Sequence, residues 1–112
     1  MAEIATSIEV VSSNIYMMAH MLDSGQLPSW SDEMFAKTRV TSFFATDKAV
    51  ECTNRALELM GAHGYSQKGG VEKHWRDSKM LQLWMGSRQL DMIYITRYYF
   101  ECETLGSEIP EG

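Results

Sequence analysis

Residues 57–97 read LELMGAHGYSQKGGVEKHWRDSKMLQLWMGSRQLDMIYITR, and this stretch decides the fold. It opens as the end of a helix that stops at Gly61 and passes through a glycine-punctuated turn. It then carries an acid–base cluster at Arg76-Asp77, breaks again at Gly86, and resumes a helical pattern. Glycines at fixed places inside amphipathic sequence mark turns where the backbone needs unusual angles or close approach.

Helical periodicity covers nearly all of the remaining chain. β-branched alternation is absent, and the two prolines, Pro28 and Pro110, fall outside periodic segments. These features predict an all-α protein. Helix one is expected over about Ala2–Leu22, with Ile4, Ile8, Val11, Ile15, Met18 and Leu22 forming one seam. Asp23-Ser24-Gly25 and Pro28 end it. Helix two begins near Ser29 or Ser31, where a hydroxyl caps free amides and Asp32 and Glu33 suit the positive helix end. It is expected to reach Met60, about 45 Å at ~1.5 Å per residue.

The predicted inner face of helix two is Phe35, Thr38, Ser42, Ala45, Ala49, Cys52, Ala56 and Leu59. Most of these are small, so helix axes can approach closely and this helix should be central. A second stripe, Ala36, Val40, Phe43, Val50 and Leu57, predicts contacts on another side. Residues 62–70 read as a loop, 71–84 as a short helix and 87–103 as a last helix. The expectation is an antiparallel four-helix bundle over 1–105 with an acidic tail at 106–112. Val10, Met17 and Met21 on helix one, with Met92, Ile95 and Tyr99 on the last, lie off the seams. Apolar residues on more than one face imply burial against another subunit or domain.

Composition narrows the function classes. A 112-residue chain with 45% apolar residues supports one modest core. The net charge of −5 argues against a phosphate-backbone partner, so no nucleic acid is expected. No run approaches the ~20 apolar residues of a membrane span. The N-terminus lacks the pattern of a signal peptide, which makes the cytoplasm the expected location. Cys52 and Cys102 read as reduced thiols, and the scattered His20, His63 and His74 give no metal-ligand spacing, so no metal is expected.

With its turns fixed, the segment Gly61-Ala62-His63-Gly64-Tyr65, Gly70-Val71-Glu72-Lys73, Arg76-Asp77-Ser78-Lys79-Met80 and Met85-Gly86-Ser87 resembles the C-terminal helical domain of the acyl-CoA dehydrogenases. In those flavoproteins the corresponding run is Gly-Gly-x-Gly-Tyr, x-Val-Glu-Arg, Arg-Asp-Ala-Lys-Ile and Glu-Gly-Thr. The order and spacing agree, and the resemblance extends over roughly residues 1–100. It implies an oxidoreductase acting on CH–CH groups of acyl-CoA thioesters in fatty acid metabolism. It also implies FAD shared with a partner subunit, in a homo-oligomer or a hetero-oligomer with an acyl-CoA dehydrogenase-like chain. The family's N-terminal helical domain and middle β-domain, which hold most flavin and acyl-CoA contacts, are not in this sequence.

By the resemblance, the catalytic base in many members stands immediately before the glycine of the last break, where this chain has Met85; other members carry it on a preceding helix that is not in this sequence. A thioether cannot take the α-proton, so no catalytic residue is assigned and the chain is expected to be inactive alone. The cofactor-binding candidates are Glu58, Gly61, Ala62, His63, Gly64 and Ser87. Glu58 stands where the family has a glutamine near the flavin pyrophosphate; a carboxylate ~5 Å from a phosphate charge costs about 3 kcal/mol at an effective dielectric of ~20. Ser87 keeps a hydroxyl where the family has threonine. Arg76 and Asp77 are assigned structural or partner roles, Asp77 capping the following helix and Arg76 bridging to a carboxylate or to carbonyls at a helix end. The competing readings are a C-cap turn that binds nothing and a non-catalytic oligomerisation or scaffold subunit that has lost the base.

Overall fold

The computed structural model describes residues 1–84 and 87–100, with Ser87 described in its backbone only. Met85, Gly86, Cys102 and the acidic tail lie outside the described residues. Among the described residues there are four α-helices and one 3-10 turn, and no strand: α1 (Ala2–Asp23), α2 (Asp32–Tyr65), the 3-10 turn Gln67–Gly69, α3 (Val71–Leu83) and α4 (Ser87–Phe100).

The start of α2 follows the capping chemistry of the sequence. Ser31 is extended, with φ −73 and ψ 145, and its hydroxyl accepts from the Met34 amide at 3.2 Å. Asp32 and Glu33 occupy the first turn, where negative charge is favoured. Truncating a cap of this kind costs about 1 kcal/mol.

Helix α2 is the axis of the molecule. Helix α1 runs antiparallel along one side, tied by Glu3 to Arg55 at 3.1 Å near one end and by Asn14, whose Nδ2 donates to Thr41 Oγ1 at 2.6 Å, further along. On the other side α3 and α4 follow one another, both antiparallel to α2. Asp47 meets Gln82 and Arg88 at mid-helix, and Phe35 and Arg39 meet Tyr94 and Asp91 beyond it. The bundle is therefore antiparallel, with α3 and α4 in tandem behaving like one long helix interrupted opposite Asp47.

Two expectations are corrected here. The seam predicted on α1 is only half covered: Ile8 and Ile15 remain 59% and 48% exposed, while Met18 is buried. The covered face is instead Ile4, Ser7, Val11, Asn14, Met18 and Met21, rotated so that Asn14 pairs with Thr41. A residue-by-residue apolar count misses this because a small hydroxyl-bearing α2 surface accepts Ser and Asn as readily as Ile. On α2, the small residues Ala45, Ala49, Cys52 and Ala56 are half-buried as expected, but Thr38 and Ser42 are exposed, and Phe35 and Leu59 are 43% and 63% exposed. The second stripe is engaged except at exposed Val40, with Ala36 buried and Phe43, Val50 and Leu57 half-buried.

Among the described residues the buried apolar side chains are few: Met18, Met34 and Ala36. Large apolar groups stay exposed on every helix, including Met17 on α1, Phe44 on α2, Met80 on α3 and Met92 on α4. Single exposed apolar residues are normal, but contiguous ones mark surfaces that meet something else.

Candidate functional site

The glycine turn is built by one backbone reversal. Gly61 has φ +60 and ψ −143, a region open essentially to glycine, and it swings the next peptide out of helical alignment. The helix does not end there, as the sequence suggested. It resumes for one turn through Tyr65 before Ser66 becomes extended, so part of the expected 62–70 loop is helical. Ser66 closes the turn, its amide and hydroxyl donating to the His63 carbonyl at 3.2 and 2.8 Å.

The two turn glycines have different jobs. A Cβ added at Gly61 would meet nothing within 4 Å, so this backbone is open to an approaching ligand. At Gly64 an added Cβ would lie 2.7 Å from Met60 Cβ and 3.3 Å from the Leu57 carbonyl oxygen. Gly64 is buried by this packing, whereas Gly61, Ala62 and His63 are exposed. Gly61→Ala is expected to cost about 1–3 kcal/mol from backbone strain alone. Thermal unfolding of the variant measures this, and an unchanged midpoint would contradict the reversal at position 61.

Glu58 lies on the helical turn before Gly61. Its carboxylate is exposed and accepts from Asn54 Nδ2 at 3.4 Å. Beside the turn, Leu57, Tyr65, Gln67, Glu72, Trp75 and Arg76 help line a cleft of about 560 Å³. Arg76 is fixed by a two-pronged pair with Glu72, Nε to Oε2 at 2.7 Å and Nη2 to Oε1 at 3.2 Å, as expected of a carboxylate bridge. Asp77 does not cap a helix. It sits in the middle of α3 and accepts from Lys73 Nζ at 2.8 Å, a hydrogen bond that holds its carboxyl below the usual range. The spacing from Lys73 to Asp77 is one helical turn, which the capping assignment overlooks.

Two groups of residues escape the sequence reading. Asp47 accepts from Gln82 Nε2 at 2.7 Å and pairs with Arg88 Nη2 at 3.1 Å, joining α3 to α4 across the second break. Arg88 also lies over the Phe43 ring, 4.9 Å from its centre. Further along α2, Arg39 pairs with Asp91 at 3.0 Å, its guanidinium about 5 Å from the centres of the Phe35 and Tyr94 rings, which meet each other edge-on. The signal is present as the i, i+4 stripe Phe35, Arg39, Phe43, Asp47, which alternates ring and charge and faces an opposite-signed pattern on α4. The base position Met85 lies outside the described residues, as does the side chain of Ser87. His20, His63 and His74 are exposed and mutually remote in sequence, and among the described residues no group of three or more His, Cys, Asp or Glu is placed to hold a metal ion. Among the described residues no helix is long and apolar enough to cross a membrane.

Comparison with known proteins settles the family. The C-terminal domain of acyl-CoA dehydrogenase, as a family profile, matches residues 1–99. The chain belongs to the acyl-CoA dehydrogenase family. It is similar to cyclohexane-1-carbonyl-CoA dehydrogenase of Geobacter metallireducens, 32% identical over 99 residues that cover 86% of this chain and 24% of that protein. The enzyme of the same name from Syntrophus aciditrophicus is 31% identical, covering 86% of the chain and 23% of its own length. Cyclohex-1-ene-1-carbonyl-CoA dehydrogenase of Geobacter metallireducens is 32% identical over 80% of the chain and 22% of its own length. The chain thus spans about a quarter of the length of these relatives. No solved structure matches.

Acyl-CoA dehydrogenases are generally FAD-dependent, and the residues present can be tested against that group. The exposed backbone at Gly61, with no side chain in the way, suits a phosphate approaching the turn. Glu58 opposes it, because a carboxylate repels phosphate and donates no hydrogen bond. The turn therefore fits through its main chain.

Proposed function

We propose that this chain is the C-terminal bundle of an acyl-CoA dehydrogenase-like flavoprotein that oxidises the CH–CH bond of acyl-CoA thioesters, inactive alone and completed in the cytoplasm by a chain with the other domains. The observation that carries the reading is the Gly61 reversal, which presents open main chain at the turn of the family's ordered motif. FAD, when bound, supplies the hydride acceptor for the substrate β-carbon. This chain's share is to place the Gly61, Ala62 and His63 main chain against a cofactor held by the partner, while Gly64 packs the turn from behind.

The bare apolar flanks support completion by another chain. Val10, Val11, Met17, Val40 and Phe44 line an apolar groove of about 570 Å³ between α1 and α2. Surfaces of this kind are common where helices meet a second subunit. Mixing the chain with a partner bearing the missing domains is expected to give a complex on size exclusion, a flavin spectrum and acyl-CoA oxidation. Failure to form any complex would defeat the proposal.

Met85 and Glu58 favour a second reading, a non-catalytic oligomerisation subunit that keeps the bundle. Glu58→Gln bears on both. Removing one carboxylate near the pyrophosphate should tighten flavin binding in the complex by about tenfold, less than the full Coulomb estimate because Glu58 is exposed. Flavin titration by fluorescence checks this, and equal affinity in both proteins would remove the turn from the cofactor site.

A further inference from the structure

We infer that Asp47 is a positioning residue that fixes where α3 ends relative to where α4 begins. Its two carboxylate oxygens are divided between the helices: Oδ1 accepts from Gln82 Nε2 at 2.7 Å, and Oδ2 pairs with Arg88 Nη2 at 3.1 Å. Gln82 is in the last turn of α3 and Arg88 in the first turn of α4. One side chain on α2 therefore sets the separation between Gln82 and Arg88.

The site is built for this task. The Asp47 side chain is 27% exposed, shielded enough for its bonds to count, and Arg88 is steadied by lying over Phe43. Because α3 and α4 run in tandem along α2, the central α2 residue opposite their break is the one from which both ends can be reached. A neutral or shorter residue at position 47 would hold at most one of them. The consequence for catalysis rests on the proposed function, in which position 85 is the family's base position.

The test separates the two layers. In the full chain, Asp47→Ala is expected to speed amide exchange in the last turn of α3 and the second turn of α4 by about tenfold, leaving α1 and the middle of α2 unchanged. Asp47→Glu should restore much of the protection, and Asp47→Asn should keep the Gln82 bond while releasing Arg88. The Asp47→Ala/Arg88→Ala double variant should be no looser in α4 than Arg88→Ala alone, because Arg88 is the α4 partner of Asp47. Unchanged exchange, or a uniform rise throughout the chain, overturns the inference, and Asp47→Asn supplies the comparison where Asp47→Ala fails to fold. In a reconstituted complex carrying Met85→Glu, loss of Asp47 should lower kcat with little change in KM. Local loosening without any activity in that complex would uphold the clamp and reject the enzymatic reading.

Discussion

Met85→Glu is expected to raise acyl-CoA oxidation by the reconstituted complex about 10²–10⁴-fold, the contribution of a well-placed general base. In the proposed reaction a proton leaves the substrate α-carbon while a hydride leaves the β-carbon for flavin. The proton needs an acceptor, and a methionine thioether is only a weak hydrogen-bond acceptor that does not protonate in this range. The family motif puts glutamate immediately before the glycine of the last break, and Met85 precedes Gly86 here. Flavin bleaching in a single turnover isolates the chemical step from product release, so the gain should appear there first. A Met85→Glu complex that binds flavin and acyl-CoA yet bleaches no faster than the unsubstituted one would favour the scaffold reading.

The helices are legible because their signals are local. Ser31 carries its cap in its side chain and its acidic neighbours, and the observed start follows from them. Gly61 announces a break for an equally local reason, since its backbone angles exclude other residues. The sequence cannot say that the helix resumes after the break, because that depends on Gly64 packing against Met60 and Leu57. Nor does apolar spacing identify the covered face of α1. Asn14 is drawn inward by Thr41, 27 residues away, and no periodicity records such a partner.

The candidate site divides in the same way. The motif order locates the turn and the family, which the match over residues 1–99 establishes. Arg76 is legible as a carboxylate bridge because its partner, Glu72, is one turn away on the same helix. Asp77 is mistaken for a cap because its position in α3 depends on where that helix starts. Asp47 and Asp91 are invisible for a different reason: each works between helices, through partners 35 to 52 residues distant.

The second large effect concerns stability. Asp91→Ala should destabilise the chain by about 3 kcal/mol, because it leaves the Arg39 guanidinium unpaired beside two rings. The pair is short at 3.0 Å, and the side chains are only 21% and 9% exposed, so water replaces the lost carboxylate poorly. Phe35 and Tyr94, with ring centres 5.0 and 5.1 Å from the guanidinium, hold the cation in place but cannot neutralise it. For a domain of this size the loss corresponds to a fall of roughly 10–15 °C in Tm. Asp91→Asn, which keeps an acceptor without its charge, should lose less. Replacing both partners, Arg39→Met with Asp91→Leu, should recover most of the loss, since an apolar pair of similar volume carries no desolvation penalty. Thermal unfolding followed by circular dichroism gives all three values. A double variant no more stable than Asp91→Ala would show that the rings, and not the ion pair, hold α2 against α4.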